Sequence, residues 1–473
     1  MSSENRAILI QKINLLEQNF PVETWEINGM HVWPLFKKHL FFSLNSGNSL
    51  HTTEKVKSGK LKIFTNKAAS LLSALNYILK LKIGKCEIVF SGAASHKVYY
   101  QDQFINRYFK PVNQYLAEKN ISFLNLNFDS SPQSKGDDFA IDKLIPLFRG
   151  DKVKIRDLKK LPGFEAFLTS VNEYFGMNQA QFLSGLIRNL NTVARWKKLY
   201  LYIFKKTKPK ASFGLCYYSP AMFGMNLAAN SMGITAIDMQ HGAQGELHPA
   251  YHYSKVPTNG YNSLPKEFWC WDDHSYRFIA QWSNGTKHKA KVSGNPWLLY
   301  VKERAVVTDI PKEKPIILFT HQPLVPVINE YLVQSIKDTC EDFLWMIRLH
   351  PRITVEDRNS LIAILKEEGV LDKIDLKIAN ELALPLLLEH ASIHISKFSG
   401  AIIEGVALNT PTIILEQIGI KTFSTIMEPG RVIGIDNPSK KVILDIIQQL
   451  MLNKPNKKSE LKDFTHLVDE ITS

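Results

Sequence analysis

Cysteine is scarce in this chain of 473 residues, and Cys86, Cys216, Cys270 and Cys340 lie far apart with no C-x-x-C pair. Paired disulfides and a cysteine-based zinc site are therefore not expected, and a reducing cytoplasm is the natural compartment. No run of about 18 apolar residues occurs, so no segment is expected to span a bilayer. The first twenty residues carry Glu4, Arg6, Lys12 and Glu17 and lack the unbroken apolar core of a signal peptide. Common catalytic motifs are missing too. There is no G-x-G-x-x-G, no G-K-[ST] phosphate loop, no G-x-S-x-G elbow and no H-E-x-x-H, which weakens dehydrogenase, P-loop ATPase and serine hydrolase readings. D-x-D is absent as well, leaving no obvious acidic pair to hold a metal–diphosphate.

What is present describes a globular protein. The chain is 45% hydrophobic, 11% aromatic and 22% charged, which excludes wholesale disorder, collagen-like repeats and a small disulfide scaffold. The length suggests about three domains, or two large ones. Lysine and arginine number 58 against 45 acidic residues, a net charge of +13. Such an excess implies an anionic partner: nucleic acid, a membrane surface or a phosphorylated substrate.

The pattern along the chain is one of strands alternating with helices. Residues 1–80 show no clear alternation apart from a short amphipathic helix over 8–16. A strand over 86–90, an aromatic-rich helix over 99–116 and a strand over 122–128 form a first β–α–β unit. Residues 137–210 read as mostly helical. A strand over 213–218, a helix over 221–232 and a strand over 235–239 follow, then a short strand over 268–271. Residues 300–314 are charged, contain Pro311 and read as an inter-domain linker. Beyond them strands at 315–319, 344–349, 375–378, 392–396, 412–415 and 432–435 alternate with helices at 327–340, 355–368, 384–389 and 401–408. The expected architecture is α/β, with two doubly wound parallel sheets and a helical insertion in the first. The expected domains are 1–300, with an insertion over about 137–210, then 315–455, with a C-terminal helix over 456–473. Ligands of such sheets sit at the carboxyl ends of strands, so the strand-to-helix turns are the places to look for chemistry.

Three turns stand out. Gln240-His241-Gly242-Ala243-Gln244-Gly245-Glu246 follows a buried strand, and His241 there can act as a general base near neutral pH, with Glu246 and His248 nearby. The structural alternative is a histidine hydrogen-bonded within its turn. In Arg348-Leu349-His350-Pro351-Arg352 a strand ends in His-Pro, with arginines on either side to present cationic donors to phosphate. A proline-opened helix start is the alternative. Ser396-Lys397-Phe398-Ser399-Gly400, leading to Glu404, opens a helix whose N–H groups favour phosphate oxygens. The alternative there is a serine cap with a glutamate on the buried face.

These turns resemble a known family. Arg348-x-His350-Pro351, with Ser396-x-x-Ser399-Gly400 followed by Glu404, Ala407, Leu408 and Pro411, is similar to the nucleotide-binding half of GT-B glycosyltransferases. The resemblance is to inverting, metal-independent enzymes of bacterial surface-polysaccharide assembly: sialyltransferases, capsule Kdo transferases and teichoic acid glycerophosphotransferases, the last with a histidine–glycine turn like His241-Gly242. UDP-sugar 2-epimerases share the fold and a similar Ser-Gly…Glu turn. The likeness covers about 210–440 and is one of turns; 1–80 and 137–210 match no family.

The resemblance implies two Rossmann-like domains facing a central cleft, and roles for individual residues. His350, Arg352, Ser396, Ser399 and Gly400 would contact the phosphates of a nucleotide-sugar donor, and Glu404 would hold its ribose. Thr320, His321 and Gln322 would face the same cleft. His241, with Glu246, would deprotonate an acceptor hydroxyl that attacks the anomeric carbon. No cofactor and no metal are implied, because basic groups and helix N–H groups offset the charge on the leaving phosphate. The second glutamate of many retaining enzymes is missing, since Asn409–Pro411 occupies its place, which favours inversion. The acceptor implied is a glycan or lipid-linked glycan of a capsule or lipopolysaccharide.

Seven basic residues lie within 195–210 with no acidic one, more than half of the net excess. Trp196, Leu199, Tyr200 and Ile203 recur there at helical spacing. Such a segment can lie on an anionic bilayer, which would place the enzyme on the inner face of the cytoplasmic membrane, or it can pack its apolar stripe on the domain. Competing readings are a 2-epimerase of the same fold, a non-catalytic assembly partner and a nucleic-acid-binding protein. No nucleic-acid partner is expected, because no RRM, zinc-finger or helix-turn-helix signature supports one.

Overall fold

The computed structural model describes residues 3–45, 60–80, 82–129, 138–304, 310–311, 313–351, 353–452 and 460–473. The chain divides into two units, Asn5–Ser293 with Phe464–Ser473, and Gly294–Asp463. Each is an α/β layer structure on a parallel sheet.

In unit 1 the sheet strands are β1 Ile88–Gly92, β2 Phe123–Asn127, β3 Phe139–Ala140, β4 Ala211–Gly214, β5 Thr235–Met239, β6 Glu267–Cys270 and β7 Lys289–Val292. β1, β4 and β6 are buried along their whole length. Helices cover both sheet faces, so such strands are continuous apolar or small runs rather than alternating ones. The spatial order is β7-β6-β5-β4-β1-β2-β3 and every pairing is parallel. Numbered within the unit this is 3-2-1-4-5-6 with one further strand, the doubly wound order whose direction reverses between β1 and β4.

The helix expected over 99–116 is instead an antiparallel hairpin, Lys97–Tyr100 with Gln103–Asn106, and only then a helix, Phe109–Glu118. Gln101 and Asp102 both adopt left-handed φ, 47° and 60°. That is the geometry of a two-residue turn matched to strand twist, and it overrides the helical spacing of the aromatics. The basic segment is the end of a 29-residue helix, Gln179–Thr207, whose Trp196, Leu199, Tyr200, Ile203 and Phe204 are all buried. The aromatic stripe that could have met a bilayer is thus part of the unit 1 core, with Val89, Met222 and Met225. Lys205, Lys206, Lys208 and Lys210 remain exposed. No helix among the described residues is long and apolar enough to cross a membrane.

The partner of that long helix is Pro220–Ser231, and the two backbones approach at Gly224. A β-carbon there would lie 2.4 Å from Trp196 Cβ and 2.7 Å from the Lys197 nitrogen. Gly224→Ala is therefore expected to destabilise unit 1 by about 1–3 kcal/mol through overpacking. Gly84→Ala, with open space around it, should be silent. Denaturant midpoints of the two variants check this.

Residues between Leu9 and Phe41 contribute to the core of unit 1. Helices Ser3–Asn19 and Trp33–Asn45 bring Trp25, Trp33 and Phe36 against Phe164 and Phe167 of helix Phe164–Phe175, edge to face at 4.9–6.2 Å for most pairs. Below them a buried ion pair joins Lys37 Nζ to Glu17 Oε2 at 2.7 Å. Trp33 Nε1 donates to Glu17 Oε1, and Lys37 also donates to the His252 carbonyl, so both charges are satisfied.

Unit 2 carries β8 Ile316–Thr320, β9 Leu344–Arg348, β10 Ile374–Asp375, β11 Ile393–Ser396, β12 Thr412–Leu415 and β13 Val432–Ile435. Their order is β10-β9-β8-β11-β12-β13, again 3-2-1-4-5-6, reversing between β8 and β11. The strand expected over 375–378 is cut short, because Asp375 Oδ1 accepts from the Ala379 N–H and starts a helical turn, Ile378–Glu381. The unit begins before the charged 300–314 segment. Ser293 is still tied to Cys270 of the first sheet, and Pro296–Arg304 is a helix of unit 2 with Trp297 and Val301 buried. The C-terminal helix Thr465–Thr472 returns to unit 1, where Tyr115 donates to Asp469 and Lys291 meets Glu470 at 2.8 Å.

Candidate functional site

In unit 1 three turns come together at the carboxyl end of the sheet. After β1 the chain forms a single 3₁₀ turn, Ala94–His96. After β4 it passes through Cys216 into the helix Pro220–Ser231, which Ser219 caps by accepting from the Met222 N–H at 3.3 Å. After β5 comes Gln240-His241-Gly242. Gln240 is buried and pins that turn: its Nε2 donates to the Gly242 carbonyl at 2.9 Å, and its Oε1 accepts from the Trp271 N–H at 2.6 Å. Tyr108, itself contacted by Arg107, donates to the His241 carbonyl at 3.2 Å.

The His241 imidazole is thereby aimed back at unit 1's own side chains. Its Nε2 lies 3.0 Å from Cys216 Sγ and 3.3 Å from the Tyr218 hydroxyl. Burial lowers its pKa to about 4, against the pull of the Met239 carbonyl and with Arg107 adding to the lowering. His96 and His248, each close by, are lowered to about 3, again chiefly by burial. All three rings are neutral at pH 7, and a neutral ring can accept a proton. Beneath them Asp238 of β5 is fully buried, and burial raises its pKa to about 8, although the Tyr251 hydroxyl and the Tyr217 N–H donate to it at 3.0 and 3.1 Å.

Glu246 does not join His241. It is exposed and lines a cavity of about 470 Å³ with Gln11, Asn14 and Gln18 of the first helix and with Gln281. The histidines that feel its charge are His252 and His274. The reason is the turn itself, which carries the chain from His241 past two glycines toward the N-terminal helix, where Arg6 Nε holds the Leu247 carbonyl at 2.7 Å.

In unit 2 the turns after β8, β9 and β11 are neighbours because those strands are neighbours. Thr320 and Ser396 face each other across the reversal point, Thr320 Oγ1 donating to Ser396 Oγ at 2.8 Å and lying 2.9 Å from His394 Nε2. All three side chains are buried, so Thr320 and Ser396 form an internal brace rather than a surface for phosphate. Burial lowers the His394 pKa to about 3. His321 is buried as well, with Nε2 bonded to the Val327 carbonyl at 2.8 Å. Gln322 accepts from the Phe398 N–H and so ties the β8 turn to the β11 turn. Ser399 Oγ accepts from the Ala401 N–H at 3.2 Å just before the helix Ala401–Ala407, whose N-cap is Gly400. Gln322, His350, Ser399 and Gly400 are half-buried at the turn, and Glu404 is buried one turn into the helix.

Arg348 is spent on structure, its Nη1 donating to the Ala379 and Leu382 carbonyls at 2.8 and 2.5 Å. Arg352 lies outside the described residues. Lys397, which sequence reasoning passed over as a site residue, is a buried cation beside Ser396, paired with Glu416 Oε1 at 3.0 Å. Glu416 reaches it from a left-handed φ of 68° at the start of the helix after β12. Cys216, His96, Tyr218 and Asp238 were likewise missed. A lone histidine and a lone cysteine 120 residues apart carry no local signal of their meeting.

No protein-family model matches the sequence, and a search of curated proteins finds no match. Solved structures do match in fold. The UDP-GlcNAc 2-epimerase of Neisseria meningitidis bound to UDP-GlcNAc aligns with a TM-score of 0.51 at 14% identity, over 81% of this chain and 98% of that one. The UDP-GlcNAc 2-epimerase of Methanocaldococcus jannaschii gives 0.49 at 13% identity, over 82% and 99%. The wall teichoic acid polymerase TagF gives 0.42 at 12% identity, over 88% and 97%. At these identities the likeness is one of fold. With the two doubly wound units it makes this chain an α/β protein of the GT-B fold.

Proposed function

We propose that the protein is a nucleotide-sugar-dependent glycosyltransferase that passes a sugar to a hydroxyl of a growing bacterial surface glycan. The observation that carries the reading is the strand order 3-2-1-4-5-6 in both units, with the polar turns picked out in the sequence at the carboxyl ends of β5 in unit 1 and of β8, β9 and β11 in unit 2, on or next to the strands that flank each reversal. In unit 2, Gln322, His350, Ser399 and Gly400 form the polar edge for the donor's phosphates, and Glu404 serves the ribose. Lys397, held beside Ser396 by its ion pair with Glu416, adds a fixed ammonium donor there for the leaving phosphate. Thr320, Ser396 and His394 keep that edge rigid from below.

Unit 1 supplies His241 as the base that takes the acceptor's proton while its oxygen attacks the anomeric carbon. A neutral ring at pH 7 suits that role. The membrane expectation loses its main support, because the aromatic stripe of 196–204 is buried. A sugar-nucleotide epimerase is the second reading, favoured by the fold shared with the meningococcal 2-epimerase, whose structure holds UDP-GlcNAc.

The deciding experiment is a thermal-shift panel of CMP, CDP, UDP, GDP and dTDP with their sugar derivatives. One nucleotide class should raise the melting temperature, by about 2.7 kcal/mol of stabilisation at a hundredfold excess over Kd. A flat response to the whole panel would overturn the nucleotide-sugar reading. With the stabilising sugar nucleotide in hand, release of free nucleotide only when a glycan acceptor is added supports transfer. Isomerised sugar nucleotide without any acceptor supports epimerisation.

A further inference from the structure

The thiol at the centre of the unit 1 turns has no part in the function proposed above. Cys216 lies just beyond β4 with φ +55°, a left-handed conformation that a non-glycine residue holds only when its surroundings impose it. It is half-buried, whereas Cys86, Cys270 and Cys340 are buried. Its Sγ lies 3.0 Å from His241 Nε2 and 3.7 Å from His96 Nε2.

Hydrogen bonding places the protons. The Ala93 N–H donates to His96 Nδ1 at 3.1 Å, so the neutral His96 ring carries its proton on Nε2 and donates toward the sulfur. His241 Nε2 faces two hydroxyl-type donors, the thiol and the Tyr218 phenol, and is the acceptor of the group. The sulfur therefore sits between a base able to take its proton and a donor able to steady the charge left behind. The N-terminus of the 12-residue helix Pro220–Ser231 follows directly, and its dipole favours a thiolate in the same place.

We propose that Cys216 is a nucleophilic thiol, activated by His241 and steadied by His96, and a site of covalent modification by small disulfides. The Cys216 proton passes to His241 Nε2 as the sulfur bonds to one sulfur of the disulfide. The disulfide's S–S bond breaks, and the departing thiolate takes the proton from His241. The product is a mixed disulfide on Cys216, which removes the S–H donor from His241 and fills the space beside it. Acyl transfer is a poorer fit. The Tyr217 N–H, which follows the nucleophile and would stabilise an oxyanion, is already bonded to Asp238 Oδ1 at 3.1 Å. The inference does not depend on the nucleotide-sugar reading, because it is read on the sulfur itself.

Alkylation by iodoacetamide at pH 7.0, followed at each cysteine by peptide mass spectrometry, tests it. Cys216 is expected to react about tenfold faster than glutathione under the same conditions, because His241 removes its proton as the sulfur attacks, whereas an ordinary thiol, only a few per cent ionised there, has to ionise first. His241→Gln should return the rate to that of glutathione or below, and His96→Gln should slow it several-fold. Oxidised glutathione should then add to Cys216 first. Alkylation of Cys86, Cys270 and Cys340 reports unfolding of a variant, in which case the folded variant of the two decides. The proposal is overturned if Cys216 in the parent protein reacts no faster than glutathione, or if neither folded variant slows it.

Discussion

Replacing His241 with glutamine is expected to lower turnover of the cognate sugar nucleotide about 10²–10⁴-fold, the usual contribution of a positioned general base. Glutamine keeps a polar side chain in the turn that Gln240 and Tyr108 hold by its backbone, so the fold should survive. Stabilisation of the protein by the nucleotide should be unchanged, because the proposed nucleotide-binding residues all belong to unit 2. Loss of turnover with intact binding is what a base predicts; loss of both would point to a structural role. Glu246→Gln, at an exposed position facing the first helix, should turn over at close to the parent rate. The pH profile gives a second reading. A base must be deprotonated to work, and burial holds His241 near 4, so the acid limb of turnover should lie well below the ordinary histidine value of about 6.5. A parent-like rate in His241→Gln would remove this residue from the mechanism.

Acidification is expected to unfold unit 1 steeply below pH 6.5. His288 is buried and His96, His241 and His248 are half-buried, and all four are neutral, with pKa values lowered to about 3 or 4 by loss of solvation. In the unfolded chain each regains its ordinary value of about 6.5 and takes up a proton that the folded state refuses. Their contribution to stability is therefore full above 6.5 and lost as pH falls through that value toward 4. Each group accounts for about 1.4 kcal/mol per pH unit in that window. The geometry agrees, because three of the rings use a bare nitrogen to accept a backbone N–H: His96 from Ala93, His248 from Ala250 and His288 from Tyr261. Protonation would turn each of those bonds into a clash of two donors.

Asp238 acts in the opposite sense. Its folded pKa, raised to about 8, lies above the unfolded value of about 3.9, so its contribution is full below 4 and declines as pH rises through 8. One carboxyl offsets only one of the four imidazoles on the acid side, and the net effect of acid is loss. Denaturant midpoints measured by tryptophan fluorescence from pH 8 to pH 5 should fall steeply on the acid side. His288→Gln should make that fall shallower by about one proton's worth, and Asp238→Asn should flatten the alkaline side. Parallel pH profiles for parent and variants would refute this account of the buried groups.

Much of the fold was legible because it is local. Short runs such as Thr235–Met239 and Thr412–Leu415 coincide with their expected bounds, since strands buried on both faces write their apolar character into consecutive residues, and the half-buried edge strand Val432–Ile435 coincides as well. The spacing of these runs and of the helices between them was enough to specify parallel sheets and two doubly wound units. Where a turn competes with periodicity the reading failed: Gln101 and Asp102 turn a hairpin inside an apparent helix. For the aromatic stripe of 196–204 the sequence left a bilayer surface and packing on the domain both open, and tertiary context decided for packing.

The site divides in the same way. The polar turns at His241-Gly242, His350-Pro351 and Ser399-Gly400 could be picked out from residue types alone, because glycine, proline and small hydroxyl residues mark the ends of strands and the starts of helices. Which side chains meet could not be. The order in space places β1 beside β4, and β8 beside β11, although more than 70 residues separate each pair. That order brings Cys216 between His96 and His241, seals Thr320 and Ser396 beneath the surface, and sets Lys397 against Glu416. Composition and spacing determined the layers and the ends at which chemistry can occur. The tertiary structure alone decided the partners, because burial and proton sharing depend on distances of about 3 Å between segments that no local pattern relates.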